Sequence, residues 1–329
     1  MLENFITGLP LWGQIIFLIL GFAFLMKGAD LFVDGSSSLA DRMGIPQIVI
    51  GLTIVAFGTS APEAAISITA GIQKSADLAV SNVLGSNILN VMLILGISSL
   101  IIPLAIKKST FKYEIPFVAA ITVLLLVLGL AGNKLGRIDG IIFLVLLAGF
   151  MVYLVMLSKK NKSDESEEIK KLPVWKMILF IILGAAGIIL GSEFTVDSAK
   201  QIAASMGMSQ RIIGLTIVAL GTSLPELITS VTAAIKHNAD IAIGNVVGSN
   251  IFNILFVLGV TATISPVSYD NAFICDNIMA LLAMIILFVC VLLNKDKKLG
   301  RTGGIILLAS YILYFVIFIL NPFGISFSL

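Results

Sequence analysis

Shifted by 163 residues, this sequence lies on itself without a gap, Gly28 through Pro103 falling on Gly191 through Pro266. GLTIVAFGTSAPE (Gly51–Glu63) covers GLTIVALGTSLPE (Gly214–Glu226), differing only at Phe57/Leu220 and Ala61/Leu224. NVLGSNILN (Asn82–Asn90) covers NVVGSNIFN (Asn245–Asn253), and Asp34 and Asp77 fall on Asp197 and Asp240. The matched positions are mostly glycine, proline and polar residues, so chance likeness between apolar helices does not explain them. The chain is a duplication.

Each copy is too apolar for water. Hydrophobic residues make up 58% of the 329 and charged residues 12%, with a mean hydropathy of +1.08. A soluble domain carries about 25% charged residues. A bilayer core takes roughly 20 apolar residues per helix. Ten such segments are predicted, at about 11–34, 46–72, 77–100, 113–131, 138–157, 174–198, 209–235, 241–263, 270–293 and 302–320. The longest polar break, Ser158 to Leu172, is a mixed-charge linker that separates a first half, residues 1–157, from a second, 173–329. Five spans per half is an odd number, so the second copy must enter the membrane in the opposite orientation. The expected fold is an all-α membrane protein of ten transmembrane helices in two inverted five-helix repeats. Secondary transporters of this architecture keep their site near the midplane, where the copies meet.

Ten spans also place both termini on one side. Of the 21 lysines and arginines, 15 fall in loops on one face and five on the other, with Lys27 inside the first span. Cytoplasmic loops collect positive charge, so both termini are expected to be extracytoplasmic and the linker cytoplasmic.

Glu63 and Glu226 fall mid-span. A carboxylate at that depth costs about 2.5–3.5 kcal/mol even on a lenient scale, and neither segment has a lysine or arginine nearby. The natural counter-charge is a transported cation. Thr59, Ser60 and Glu63 share one sector of their helix, as Thr222, Ser223 and Glu226 do in the copy. Pro62 clashes with the Gly58 carbonyl four residues back and Gly58 loosens the same turn. Carbonyls from Ala56 to Thr59, and from Ala219 to Thr222, are therefore expected to turn inward. Ser86 and Asn90, four apart, form a polar stripe on the third span, and Ser249 and Asn253 repeat it on the eighth. These donors are all oxygen, which suits Ca²⁺, Na⁺ or Mg²⁺ and not Zn²⁺ or Cu⁺. Two carboxylates balance one Ca²⁺ or two Na⁺, a physical basis for exchange at one shared site.

Other features read as structural. Asn82, Asn87, Asn245 and Asn250 are expected in the frame. Lys27, Asp30 and Asp34, like Glu193, Asp197 and Lys200, are spaced for pairing along one helix. Asp77 and Asp240 sit where first-turn caps belong, and Trp12 and Trp175 where interface anchors belong. Cys275 and Cys290 read as ordinary buried thiols. His237 is the single histidine, so no His/Cys metal cluster can form. A net charge of +2 gives no reason to expect a nucleic-acid partner. No basic segment precedes the first apolar run, so no cleavable signal peptide is expected. An intramembrane hydrolase could use paired acids, but no Ser/His pairing accompanies them, and no enzymatic activity or cofactor is expected. A channel needs a continuous pore, which a duplication within one chain does not favour.

The GTSAPE and GTSLPE segments, each followed by a GSN-x-x-N stretch, resemble the two alpha-repeats of the cation/Ca²⁺ exchanger superfamily, closest to its prokaryotic sodium/calcium exchangers. That resemblance implies a Na⁺/Ca²⁺ antiporter of a prokaryotic plasma membrane, working by alternating access as a monomer, with spans 1 and 6 sliding past the rest. It implies that Glu63 and Glu226 bind Ca²⁺ with the Thr59 and Thr222 carbonyls. Flanking Na⁺ sites use Ser60, Ser86, Ser223, Ser249 and the carbonyls of Ala56 and Ala219, and Asn90 and Asn253 complete the centre. The proton-coupled branch carries a GNAxE-like segment absent here, which leaves H⁺/Ca²⁺ or Mg²⁺ exchange as the runner-up. K⁺-dependent relatives have aspartate where this chain has Asn253, so K⁺-independent exchange is expected.

Overall fold

The computed structural model describes residues 6, 8–72, 77–160, 172–206, 219–269 and 272–320. Among the described residues, seven helices are long and apolar enough to cross a membrane: α1 (Leu11–Met43), α4 (Ala79–Ile101), α5 (Thr110–Gly132), α6 (Arg137–Lys159), α7 (Val174–Ala203), α10 (Ala239–Ile264) and α11 (Phe273–Leu293). An eighth span is a bent pair, α2 (Gln47–Thr59) and α3 (Ala61–Ile72), which meet at 50°. Two shorter apolar helices, α9 (Leu224–Ile235) and α12 (Arg301–Ile317), complete the set, with the single turn α8 (Ala219–Thr222) leading into α9. The first predicted segment is longer than its apolar run, because α1 continues through the polar stretch to Met43. Residues 209–218 of the seventh predicted segment lie outside the described residues. So do residues 161–171 of the linker, whose first residues belong to the helix ending at Lys160.

Burial sorts these helices into centre and periphery. In their most apolar windows α10 is 94% and α4 is 72% buried, against 22 to 33% for the other long helices. Small residues let α10 enter. A Cβ on Gly244 would stand 2.9 Å from the Gly51 Cα, and one on Gly248 would stand 2.8 Å from the Leu52 Cα. Both central helices also contain a π-helical stretch beginning at repeat-matched asparagines, Asn90–Ile94 and Asn253–Leu258. Such widened turns recur at functional sites.

Two short clips join the halves crosswise. β1 (Leu104–Ala105), which follows α4, pairs antiparallel with β4 (Lys298–Leu299), which precedes α12. β2 (Lys134–Leu135), which precedes α6, pairs with β3 (Val267–Ser268), which follows α10. The tetrapeptide KLGR begins both β2 and β4. At the periphery the Tyr153 hydroxyl donates to buried Glu114, tying α6 to α5, and the Tyr314 hydroxyl donates to Asp276 at 2.7 Å, tying α12 to α11.

Some pairings expected along one helix are made across helices instead. The Lys27–Asp30 contact is loose at 4.0 Å and largely exposed. Lys236, in the turn after α9, instead reaches both Asp30 (2.7 Å) and Asp34 (2.6 Å) on α1 and donates to the Asp30 carbonyl at 2.9 Å. Asp240 lies in the first turn of α10 as expected, while the Asn238 side chain makes the cap by accepting the Ile241 N–H and Asp240 pairs with Lys107 at 2.5 Å. Asp197 and Lys200 keep the closer intrahelical contact, at 3.4 Å. The side chain of Asp77 lies outside the described residues. Trp12 and Trp175, each 67% exposed near the starts of α1 and α7, occupy positions suited to interface anchors. Both cysteines are free thiols, half-buried. Lys236→Met takes the cation from two carboxylates one turn apart. It should cost about 1 kcal/mol, the pair being partly exposed, and lower the melting temperature in detergent. Adding Asp30→Asn and Asp34→Asn should restore it.

Candidate functional site

Both glutamate segments break at the same place. Helix α2 stops at Thr59, Ser60 takes φ −85° and ψ 6°, and α3 resumes at Ala61 with Pro62 in its first turn. Ser223 does the same between α8 and α9, at φ −93° and ψ 6°. Proline has no N–H and crowds the carbonyl four residues back, so the helix yields two residues before it, at the serine. Each glutamate thereby falls in the first turn of a new helix. The free N–H groups and positive dipole end there favour a carboxylate, offsetting part of its burial cost.

The break frees fewer carbonyls than the spacing predicts. The Ala56 carbonyl accepts the Ser60 N–H at 3.0 Å. The Gly221 carbonyl, four residues before Pro225, accepts the Ser192 hydroxyl of α7 at 2.9 Å. Nothing in the repeat points to Ser192, because its counterpart in the first half is Ala29.

Nine predicted site residues gather in the centre, each no more than 5% exposed: Thr59, Ser60, Glu63, Ser86, Asn90, Ser223, Glu226, Ser249 and Asn253. Ala56 is buried one turn before Thr59, and Thr222 is half-buried. Ala219 is the first residue of α8, and its side chain lies outside the described residues.

The hydroxyls do not serve the glutamate of their own segment. Ser60 donates to Glu226 Oε1 in the other half at 2.7 Å, and Ser249 approaches the same oxygen at 3.5 Å. The repeat-equivalent contacts would bring Ser223 and Ser86 to Glu63. Those two serines instead meet each other at 3.4 Å. The two glutamates thus have unequal surroundings despite closely matched segments, which differ at Ala61/Leu224 just before them. Thr59 donates to Asn245 Oδ1 at 2.9 Å, and Asn245 donates to the Glu226 carbonyl (3.3 Å) and to Ser230 Oγ (2.9 Å). Asn82 makes the matching bonds to Ser67 Oγ (3.0 Å) and the Glu63 carbonyl (3.5 Å). Ser67 and Ser230 share a repeat position, and that duplication was the signal by which the sequence could have shown them.

Among the described residues, both carboxylate oxygens of Glu63, Glu226 Oε2, Asn90 Oδ1 and Asn253 Oδ1 are buried and accept no hydrogen bond. A buried acceptor without a donor is costly, and these five all belong to predicted site residues, where a positive charge would satisfy them. No cluster of three or more His, Cys, Asp or Glu occurs among the described residues, so the donors are carboxylate, amide, hydroxyl and backbone oxygens. Oxygen donors of these types suit hard cations.

The chain belongs to the sodium/calcium exchanger protein family, which matches residues 13–156 and 176–320. It is 40% identical to the putative antiporter CaxA of Alkalimonas amylolytica, over 91% of this chain and 96% of that one. It is 30% identical to sodium/calcium exchanger MaX1 of Methanosarcina acetivorans, over 92% and 97%. A solved structure of the sodium-calcium exchanger NCX_Mj, soaked with Na⁺ and Sr²⁺, superposes with a TM-score of 0.80 at 33% identity, covering 93% of this chain and 99% of that one.

Proposed function

We propose that this chain exchanges Na⁺ for Ca²⁺ across a prokaryotic plasma membrane, with the twelve site residues as the ions' ligands. The observation that carries the reading is the set of five buried acceptor oxygens, three of them from Glu63 and Glu226, that no described group satisfies. One Ca²⁺ or two Na⁺ would neutralise the two carboxylates, so occupancy by one ion excludes the other. The relatives named as sodium/calcium exchangers support the choice of ions.

Ten spans in two inverted five-helix halves are the architecture we assign, with both termini extracytoplasmic and the monomer as the working unit. The 163-residue repeat, the matched breaks at Ser60 and Ser223, the crosswise β clips and the two family-matching segments support it. Alternating access then requires a helix group to shift against the core. The pair α1 and α7 suits this role, since its glycine contacts make one paired unit and it lies outside the buried α4–α10 centre.

Vesicles carrying the purified chain and loaded with Na⁺ should take up ⁴⁵Ca²⁺ against external choline. Uptake should vanish when the internal Na⁺ is replaced, and a proton gradient should not substitute for it. Uptake driven by the proton gradient alone would overturn Na⁺ coupling. Asn253 is an amide and supplies no third negative charge, so removing K⁺ from both sides should leave the Ca²⁺ flux unchanged. A strict K⁺ requirement would refute that reading.

A further inference from the structure

Four buried asparagines, Asn87, Asn90, Asn250 and Asn253, none more than 3% exposed, close a reciprocal network where α4 crosses α10. Asn87 Nδ2 donates to the Asn250 carbonyl and Asn250 Nδ2 to the Asn87 carbonyl, both at 3.3 Å. Those bonds fix the two outer amides to backbone of the opposite half. Each outer amide then offers its Oδ1 to a site asparagine. Asn90 Nδ2 donates to Asn250 Oδ1 at 3.0 Å, and Asn253 Nδ2 donates to Asn87 Oδ1 at 3.1 Å. Every NH₂ of the four is engaged, and the two acceptors left without a donor among the described residues are Asn90 Oδ1 and Asn253 Oδ1.

We infer that Asn87 and Asn250 are positioning residues for ion binding, each holding the site asparagine of the other half so that its oxygen, not its NH₂, is presented to the cation. The inference rests on the proposed assignment of Asn90 and Asn253 as ion ligands. A primary amide turns about its terminal torsion at little cost, and two nearby carboxylates attract an NH₂ whenever no cation lies between them. An amide turned that way would donate to the glutamates and repel the ion. The Asn87 and Asn250 oxygens compete for the same NH₂. A turned amide would also set Oδ1 against Oδ1, losing a buried bond without replacement. Because the bonds run between halves, each ligand is oriented by the copy it does not belong to. The same network sets a condition on residue 253, since an ionised aspartate there has no hydrogen to give Asn87.

The test is a double-mutant cycle on Na⁺-driven ⁴⁵Ca²⁺ uptake in vesicles, with Asn253→Ala, Asn87→Ala and the double variant. Loss of a group that orients a metal ligand typically costs about 10- to 100-fold in affinity. Asn87→Ala should therefore raise KM for Ca²⁺ by about tenfold or more while kcat falls much less. The double variant should be no worse than Asn253→Ala alone. Multiplying effects, or a fall in kcat with KM unchanged, would show a packing role only and overturn the inference. An unchanged KM in Asn253→Ala would instead remove Asn253 from the site, and this inference with it. If Asn87→Ala does not give a monodisperse protein, the mirror cycle of Asn250→Ala with Asn90→Ala decides by the same criteria.

Discussion

Glu226→Gln is expected to abolish Na⁺-driven Ca²⁺ uptake while leaving a folded, monodisperse protein, and Glu63→Gln to do the same. Glutamine keeps the size and one acceptor oxygen, so packing at these fully buried positions survives. What is lost is one of two charges facing a divalent ion in a site without water-like screening. Removing one partner of a buried charge pair costs about 3–5 kcal/mol, or on the order of 10²–10⁴-fold in ion affinity. The two variants should differ in detail. Glu226 accepts from Ser60 and Ser249, whereas neither oxygen of Glu63 has a donor among the described residues. Glu226→Gln should therefore also disturb Ser60 across the interface between halves, and Glu63→Gln should be the milder change for stability without ions. Normal ⁴⁵Ca²⁺ uptake by Na⁺-loaded vesicles of either variant would sink the site assignment.

Gly184→Val should be the most damaging single change away from the site. A Cβ there would stand 2.6 Å from the Phe32 backbone nitrogen and 2.8 Å from the Gly28 carbonyl oxygen. The reciprocal Gly28 Cβ would stand 2.7 Å from the Ile188 nitrogen, and that of Gly191 2.6 Å from the Leu25 nitrogen. Helices α1 and α7 touch backbone to backbone, so no flexible side chain can give way and the whole pair must separate. Overpacking costs about 1–3 kcal/mol where neighbours can relax, and here they cannot. Small residues at membrane helix contacts exist to allow such approach. The expected outcome is aggregation or a large fall in melting temperature in detergent, with exchange lost. Gly149→Ala on α6 is the control, because nothing lies within 4 Å of its Cβ position. It should be neutral or stabilise by about 0.5–1 kcal/mol through helix propensity. Equal behaviour of the two variants would refute the close-packed α1–α7 contact.

Much of the site was legible before any coordinates. Glycine, proline and acid at the same offsets in both copies specified the helix breaks. The structure turns the chain at Ser60 and Ser223 with nearly the same φ and ψ because the same glycine, serine and proline offsets impose the same local sterics. The membrane class, the central acids and the oxygen-only donor set likewise follow from residue types within a few positions of each other. The carbonyl expectation failed in part for an equally local reason: the Ser60 N–H occupies the Ala56 carbonyl.

The pairings across the interface were not legible. Ser60 to Glu226 spans 166 residues, Lys236 to Asp34 spans 202, and Ser192 reaches a carbonyl whose repeat counterpart it cannot match. Helical periodicity says which side chains share a face of one helix. It does not say which helix that face meets, at what angle, or whether the two copies settle into the same arrangement. The sequence alone determined a duplicated, membrane-buried pair of acids with broken helices around them. The tertiary structure decided that Glu226 takes the serines while Glu63 does not, and that each site asparagine is held by the opposite half. Those choices depend on packing between elements far apart in the chain, where near-identical segments can find different neighbours.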